Sequence, residues 1–119
     1  MSALAQAKAA NYCGQSIAIK RSGLGINEFK HLFLSGGFAN YINVDNAKKI
    51  GFLIDTPNAN VLKIGNSALN GAIIYLVNVD ERIKIESIVK SIKHVELETD
   101  ENFFDHFVEG CQFKELKVM

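Results

Sequence analysis

The sequence predicts an α/β fold, a small, mostly parallel sheet flanked by helices in the order α-β-α-β-α-α-β-α. Three observations predict it. Short apolar runs at residues 32–34 and 61–64 stop at glycine-bearing turns, Ser35-Gly36-Gly37 and Gly65-Asn66-Ser67, and read as buried strands. These runs alternate with segments of helical periodicity, and that alternation implies parallel pairing through right-handed crossovers. The chain has 119 residues, 48% of them hydrophobic, which suits a single domain or subdomain with one core.

Each element has a local reason. Residues 3–21 are rich in helix formers (Ala3, Leu4, Ala5, Ala7, Ala9, Ala10), with Leu4, Ala7, Asn11, Gly14, Ile17 and Ala18 as the inward stripe. Gly23 and Gly25 end that helix. Residues 26–30 turn into the first strand. Residues 43–51 form a short helix capped by Asn43 or Asp45 and closed by Gly51. Pro57 lies in a polar loop before the second strand. Residues 66–77 form a helix with small residues at its start. Asp80 is expected to cap the next helix, which runs to Ile92 with Ile83, Ile85, Ile88 and Val89 apolar. His94-Val95-Glu96-Leu97-Glu98 alternates like a half-buried edge strand. Thr99 and Asn102 frame the cap of the last helix, whose apolar side carries Phe103, Phe104, Phe107 and Val108.

Composition narrows the function classes. The formal charges balance, 13 basic against 13 acidic, so neither nucleic acid nor an anionic membrane is indicated as partner. No apolar run approaches the ~20 residues of a membrane span, and no secretory leader is seen. Cys13 and Cys111, far apart, read as two reduced thiols of a cytoplasmic protein. A three-stranded sheet leaves open edges, and with the apolar surplus this predicts a homodimer. The start of the chain reads as cut from a longer polypeptide.

The candidate chemistry sits at the two glycine-bearing strand ends. Gly36 and Gly37 lack a Cβ where α/β sheets place their ligands, and the same glycines would also serve a tight turn. Gly65, Asn66 and Ser67 offer backbone N–H groups to an anion or ribose, or simply a helix cap. A Gly-x-x-x-x-Gly-Lys-Ser/Thr phosphate loop is absent. His106 and Glu109 lack a third metal ligand. The cluster of Phe103, Phe104, Phe107 and Phe113 reads as core or as a docking face.

The stretch Leu32-Phe33-Leu34-Ser35-Gly36-Gly37-Phe38-Ala39-Asn40-Tyr41 resembles the adenosine motif of the actin, sugar kinase and heat-shock chaperone ATPases, with Ala39 where glycine is common. More narrowly, the chain resembles the C-terminal domain of the reductive activators of corrinoid proteins. Residues 6–10, 35–42, 47–53, 64–72, 94–97 and 103–109 carry that likeness, in order and over nearly the whole chain. The resemblance implies an actin-like (ribonuclease H-like) fragment and a parent that uses ATP and magnesium to drive electrons onto a cobalt corrinoid. The parent's 2Fe–2S module, phosphate-gripping hairpin and acidic residues would lie upstream. Its client would be a corrinoid protein or methyltransferase, and this chain alone would be inactive. By the same resemblance Gly36 and Gly37 would pass beneath the adenosine and Phe38 would pack on the base or fill the core. Lys8 would touch the purine or stand in solvent, and Gly65, Asn66 and Ser67 would form the second connecting segment. Two rival readings are a non-catalytic interaction domain and an activator of another client, such as a radical dehydratase.

Overall fold

The computed structural model describes residues 2–115. The chain forms two compact units, one from Met1–Leu32, Ile42–Val61 and Glu96–Met119, the other from Phe33–Tyr41 and Leu62–Val95. The element order is α1 (Ala3–Ser22), a 3-10 turn (Ile26–Glu28), β1 (His31–Leu34), α2 (Gly37–Tyr41), α3 (Val44–Lys49), β2 (Asn60–Lys63), α4 (Ser67–Val77), α5 (Val79–Ser91), a 3-10 turn (Leu97–Thr99) and α6 (Phe103–Gly110). The expected α/β class holds, and the sheet among the described residues is the parallel pair β1-β2. The Asn60 amide donates to Lys30 O and the Ile64 amide to Leu34 O, both at 2.9 Å, so the two strands advance in the same direction.

The first unit is built on α1. Ser2 Oγ accepts the Ala5 amide at 3.2 Å, and Gly23 closes the helix at φ 71°. The buried face is Ala5, Lys8, Ala9, Tyr12, Cys13, Ser16 and Ile17, about one position round from the expected stripe, and Leu4 is 68% exposed. Lys8 lies outside the expected stripe. In the fold the lysine stem is covered, and its ammonium donates to Gly110 O at 2.6 Å and Gln112 O at 2.5 Å, which makes burial tolerable. Helix α6 lies against α1 at Gly110, where a Cβ would stand 2.9 Å from Ala9 Cα. Tyr12 and Ile54 centre the core, with Ile19 and Ile26 packed on them. The Asn11 and Gln15 amides both donate to Phe52 O, and Gln15 Oε1 accepts the Ile54 amide, which fastens the segment after α3 to α1.

Three local expectations are corrected. Residues 94–98 form no strand. The Asp100 amide turns back to Leu97 O at 3.1 Å, and the Leu97 side chain lies 3.7 Å from the Cβ position of Gly14. The alternation there therefore marks an apolar anchor on α1 rather than a ladder. Helix α5 starts earlier than expected, because Asn78 Oδ1 caps it by accepting the Glu81 amide at 3.1 Å, leaving Asp80 in the first turn. Asn102 stands at the α6 cap position without a side-chain capping bond. Asp100 Oδ1 accepts its amide at 3.0 Å, and Thr99 belongs to the preceding turn. The phenylalanines divide: Phe103 and Phe107 stack at 5.9 Å, whereas Phe104 and Phe113 are exposed.

In the second unit α4 and α5 pack on each other. Arg82 Nε donates to Tyr75 O at 3.0 Å, its guanidinium covers the Tyr75 ring, and the Tyr75 hydroxyl donates to Glu86. No side chain of this unit is buried. Among the described residues no helix is long and apolar enough to cross a membrane.

Candidate functional site

The two glycine-bearing strand ends meet within the second unit. Past the end of β1, Gly36 takes φ 98°, and past the end of β2, Gly65 takes φ 64°, backbone conformations that favour glycine. The Gly65 carbonyl gathers three donors: the Gly36 amide at 2.8 Å, Ser35 Oγ at 3.1 Å and the Ser67 amide at 3.1 Å. The Ser35 and Ser67 hydroxyls share a further bond at 2.5 Å. Gly36, Gly37, Gly65, Asn66 and Ser67 thus form one cross-linked surface.

This bonding alters what the surface can do. An anion at the start of α4 would need free N–H groups, but the Ser67 amide is engaged by Gly65 O and the Leu69 amide by Asn66 Oδ1 at 3.0 Å. What the loops present instead is bare backbone: a Cβ at Gly36, Gly37 or Gly65 would meet no atom within 4 Å. A flat group can approach there to van der Waals contact.

Sequence reasoning missed α2. This single helical turn starts at Gly37, too short for any apolar period to show. It carries Phe38, 71% exposed, and Tyr41, 91% exposed. Phe38 is therefore not part of this chain's buried core. Lys63 Nζ donates to Asn40 O at 3.1 Å and ties the end of α2 to β2.

Lys8 belongs to the first unit, these residues to the second. It is 1% exposed, so it does not stand in solvent, and its ammonium is held by the two carbonyls flanking Cys111. Burial lowers its pKa, opposed by the nearby Cys111 and Glu109. Around it, burial raises the Tyr12 hydroxyl and the Cys13 thiol. These groups serve packing: the Tyr12 hydroxyl donates to Glu109 and Cys13 Sγ to Phe103 O. His106 lies edge-on to Tyr12 at 6.4 Å. Among the described residues no three His, Cys, Asp or Glu side chains converge as metal ligands. A half-open cavity of about 170 Å³ in the first unit, lined by Ala18, Ile19, Phe29 and Ile54 among others, is almost wholly apolar.

The comparison with known proteins fits the fold and the whole chain. A relative from Eubacterium limosum, the corrinoid activation enzyme RamQ, is 34% identical over 107 residues, which cover 90% of this chain and 18% of the relative. The chain therefore spans about a fifth of the length of that relative. The family model for the C-terminal domain of RACo, the ASKHA domain, matches residues 1–119, and the chain belongs to that family.

Proposed function

We propose that this chain supplies the adenosine-facing wall of an ATP site in a protein that activates a corrinoid client. The observation that carries the reading is the junction of the two strand ends through Gly65 O, which builds one Cβ-free surface beside an exposed aromatic. The relative's activity, corrinoid activation, supplies the client class. ATP would bring the phosphoryl free energy, with magnesium on its phosphates. This chain's own residues would bind and orient the nucleoside: Gly36 and Gly37 by close backbone approach, Phe38 by ring contact, and Gly65, Asn66 and Ser67 by fixing the loop. Phosphate and metal contacts are assigned to residues outside these loops, whose Gly36, Ser67 and Leu69 amides are engaged within the chain. The two cysteines do not fit a 2Fe–2S cluster, which takes four ligands.

The test is nuclear magnetic resonance of the chain titrated with ADP. Shifts centred on Gly36, Gly37 and residues 65–67, lost in Gly37→Val, support the reading. No shift at those residues at millimolar nucleotide refutes it. A second reading, an interaction domain, draws on the exposed α4 residues Leu69, Ile73, Leu76 and Val77. A monomeric mass by light scattering at high micromolar concentration counts against self-association.

A further inference from the structure

The cavity of about 170 Å³ lies wholly within the first unit. Ala18 and Ile19 come to it from α1, Phe29 and Leu32 from the chain that enters and forms β1, and Ile54 and Thr56 from the segment after α3. Polar atoms contribute almost nothing to its surface. Two polar side chains of the wall show why. The Gln15 amide donates to Asn11 O and Phe52 O and accepts the Ile54 amide. Thr56 is buried, and its Oγ1 is covered. No carboxylate, ammonium or guanidinium lines the space, and the one titratable side chain there is that of His31, an exposed residue. The walls are anchored in the core: Ile54 centres it with Tyr12, and Ile19 packs on that pair. Close-packed walls of this kind hold the space open in a fixed form.

We propose that this cavity is a binding site for a small uncharged hydrocarbon ligand, a single ring of benzene or cyclohexane size. An apolar cavity of about 150 Å³ lined by Leu, Ile and Phe side chains stays dry and takes up benzene, whereas water needs polar partners to settle. The volume decides against a larger ligand. Pockets for drug-sized molecules run to about 300–1,000 Å³, so a nucleotide does not fit. The lining decides against a charged one, because nothing in it repays the desolvation of an ion. A ring that fills the space supplies the dispersion contacts that its lining lacks when empty. Burying the carbons of toluene, less the cost of association, puts Kd on the order of 1 mM. Such a ligand touches Ile19 and Ile54, so its binding stabilises the first unit by linkage.

The probes are toluene, cyclohexane and benzoate, each added to the intact protein and followed through the methyl resonances of Ile19, Leu32 and Ile54. Expected are saturable shifts with toluene and cyclohexane, centred on these methyls, and binding of benzoate weaker by about tenfold or more. Ala18→Leu, with Ala18→Met as a more flexible filler, puts added carbons into the space and should weaken toluene binding about tenfold. Circular dichroism checks the helix content of both variants. Unmoved methyls in toluene-saturated water overturn the proposal. So do equally large shifts at the exposed residues Leu69, Ile73 and Leu76, which mark unspecific partition. Benzoate bound as tightly as toluene overturns the apolar class, His31 then being the group that draws the anion. Folded Ala18 variants that bind toluene as the parent does place the ligand elsewhere and overturn the site.

Discussion

Replacing Gly110 by alanine tests how closely α6 lies on α1. The added Cβ would stand 2.9 Å from Ala9 Cα, 3.1 Å from Ala9 O and 3.1 Å from Tyr12 Cδ1. Two of these atoms are backbone and cannot rotate away. Restoring ordinary contact lifts α6 by about 0.5 Å, enough to forfeit a quarter or more of the dispersion along that seam. The same movement stretches the bond from Lys8 Nζ to Gly110 O. Overpacking of this kind costs about 1–3 kcal/mol, against which alanine returns at most about 1 kcal/mol of helix propensity, and less at the last residue of a helix. The net expectation is a loss of about 2 kcal/mol in the first unit. Gly71→Ala is the internal control. It lies inside α4 with no atom within 4 Å of the new Cβ, and should gain about 0.5–1 kcal/mol in the second unit. Native-state hydrogen exchange reads both units at once, through the amides of α1 and α6 and those of α4. A neutral or stabilising Gly110→Ala would refute the close-packing argument.

Lys8→Met keeps the buried stem but leaves Gly110 O and Gln112 O without their donor, and urea unfolding should show a loss of about 1.5–3 kcal/mol. An unchanged midpoint would show that water takes over both carbonyls. The Asn102 amide and the Arg21 guanidinium hold Asp100 at about 2 against its ordinary 3.8. The folded state thus binds that proton less readily than the unfolded one, so the stability from Asp100 is complete above pH 3.8 and is lost as pH falls through about 2. Asp100→Asn should flatten acid unfolding across that window, and an unchanged acid profile would contradict the assignment. Cys13 is 0% exposed with its thiol raised by burial, whereas Cys111 is half-buried. A thiol reagent should therefore modify Cys111 first and reach Cys13 only on unfolding. Equal rates would contradict that order.

Features with a local cause were legible. Gly23 at the end of α1, Asn43 and Gly51 around α3 and Asn66 before α4 stand where their side chains or backbone freedom are needed within a few residues. The misses have non-local causes. Lys8 counts as polar until Gly110 and Gln112, about a hundred residues away, arrive to accept from it. Residues 94–98 alternate as a strand would, but pairing depends on a neighbour that the sequence does not specify, and Leu97 finds Gly14 instead. Asn78 and Asp80 are both good caps, and only the helix start chooses between them. At the site the glycines were visible as residue types. The convergence of the Gly36 amide and Ser35 Oγ on Gly65 O joins residues about thirty apart and has no signature in either segment alone.

The candidate site lies in the part of the molecule with the least internal support. All the buried apolar residues, among them Tyr12, Ile17 and Ile54, belong to the first unit. The second unit is held by strand pairing, caps and the exposed Arg82–Tyr75–Glu86 contacts. Exposed polar contacts contribute little, and helices as short as α4 and α5 are marginal by themselves in water. Local opening of this unit therefore has a low free energy. A ligand adds stability in proportion to the logarithm of its saturation, about 2.7 kcal/mol at a hundred times its Kd, which is large beside such an opening energy. Helix α4 makes that gain shared. It starts at Ser67, inside the hydrogen-bonded loops, and continues through Leu69, Ile73 and Leu76, which are exposed. Ordering the loops with a nucleotide lowers the cost of fixing the apolar face, and covering that face lowers the cost of fixing the loops. Under the proposed function the two effects would be equal by linkage, and any partner that covered α4 would raise nucleotide affinity at this wall.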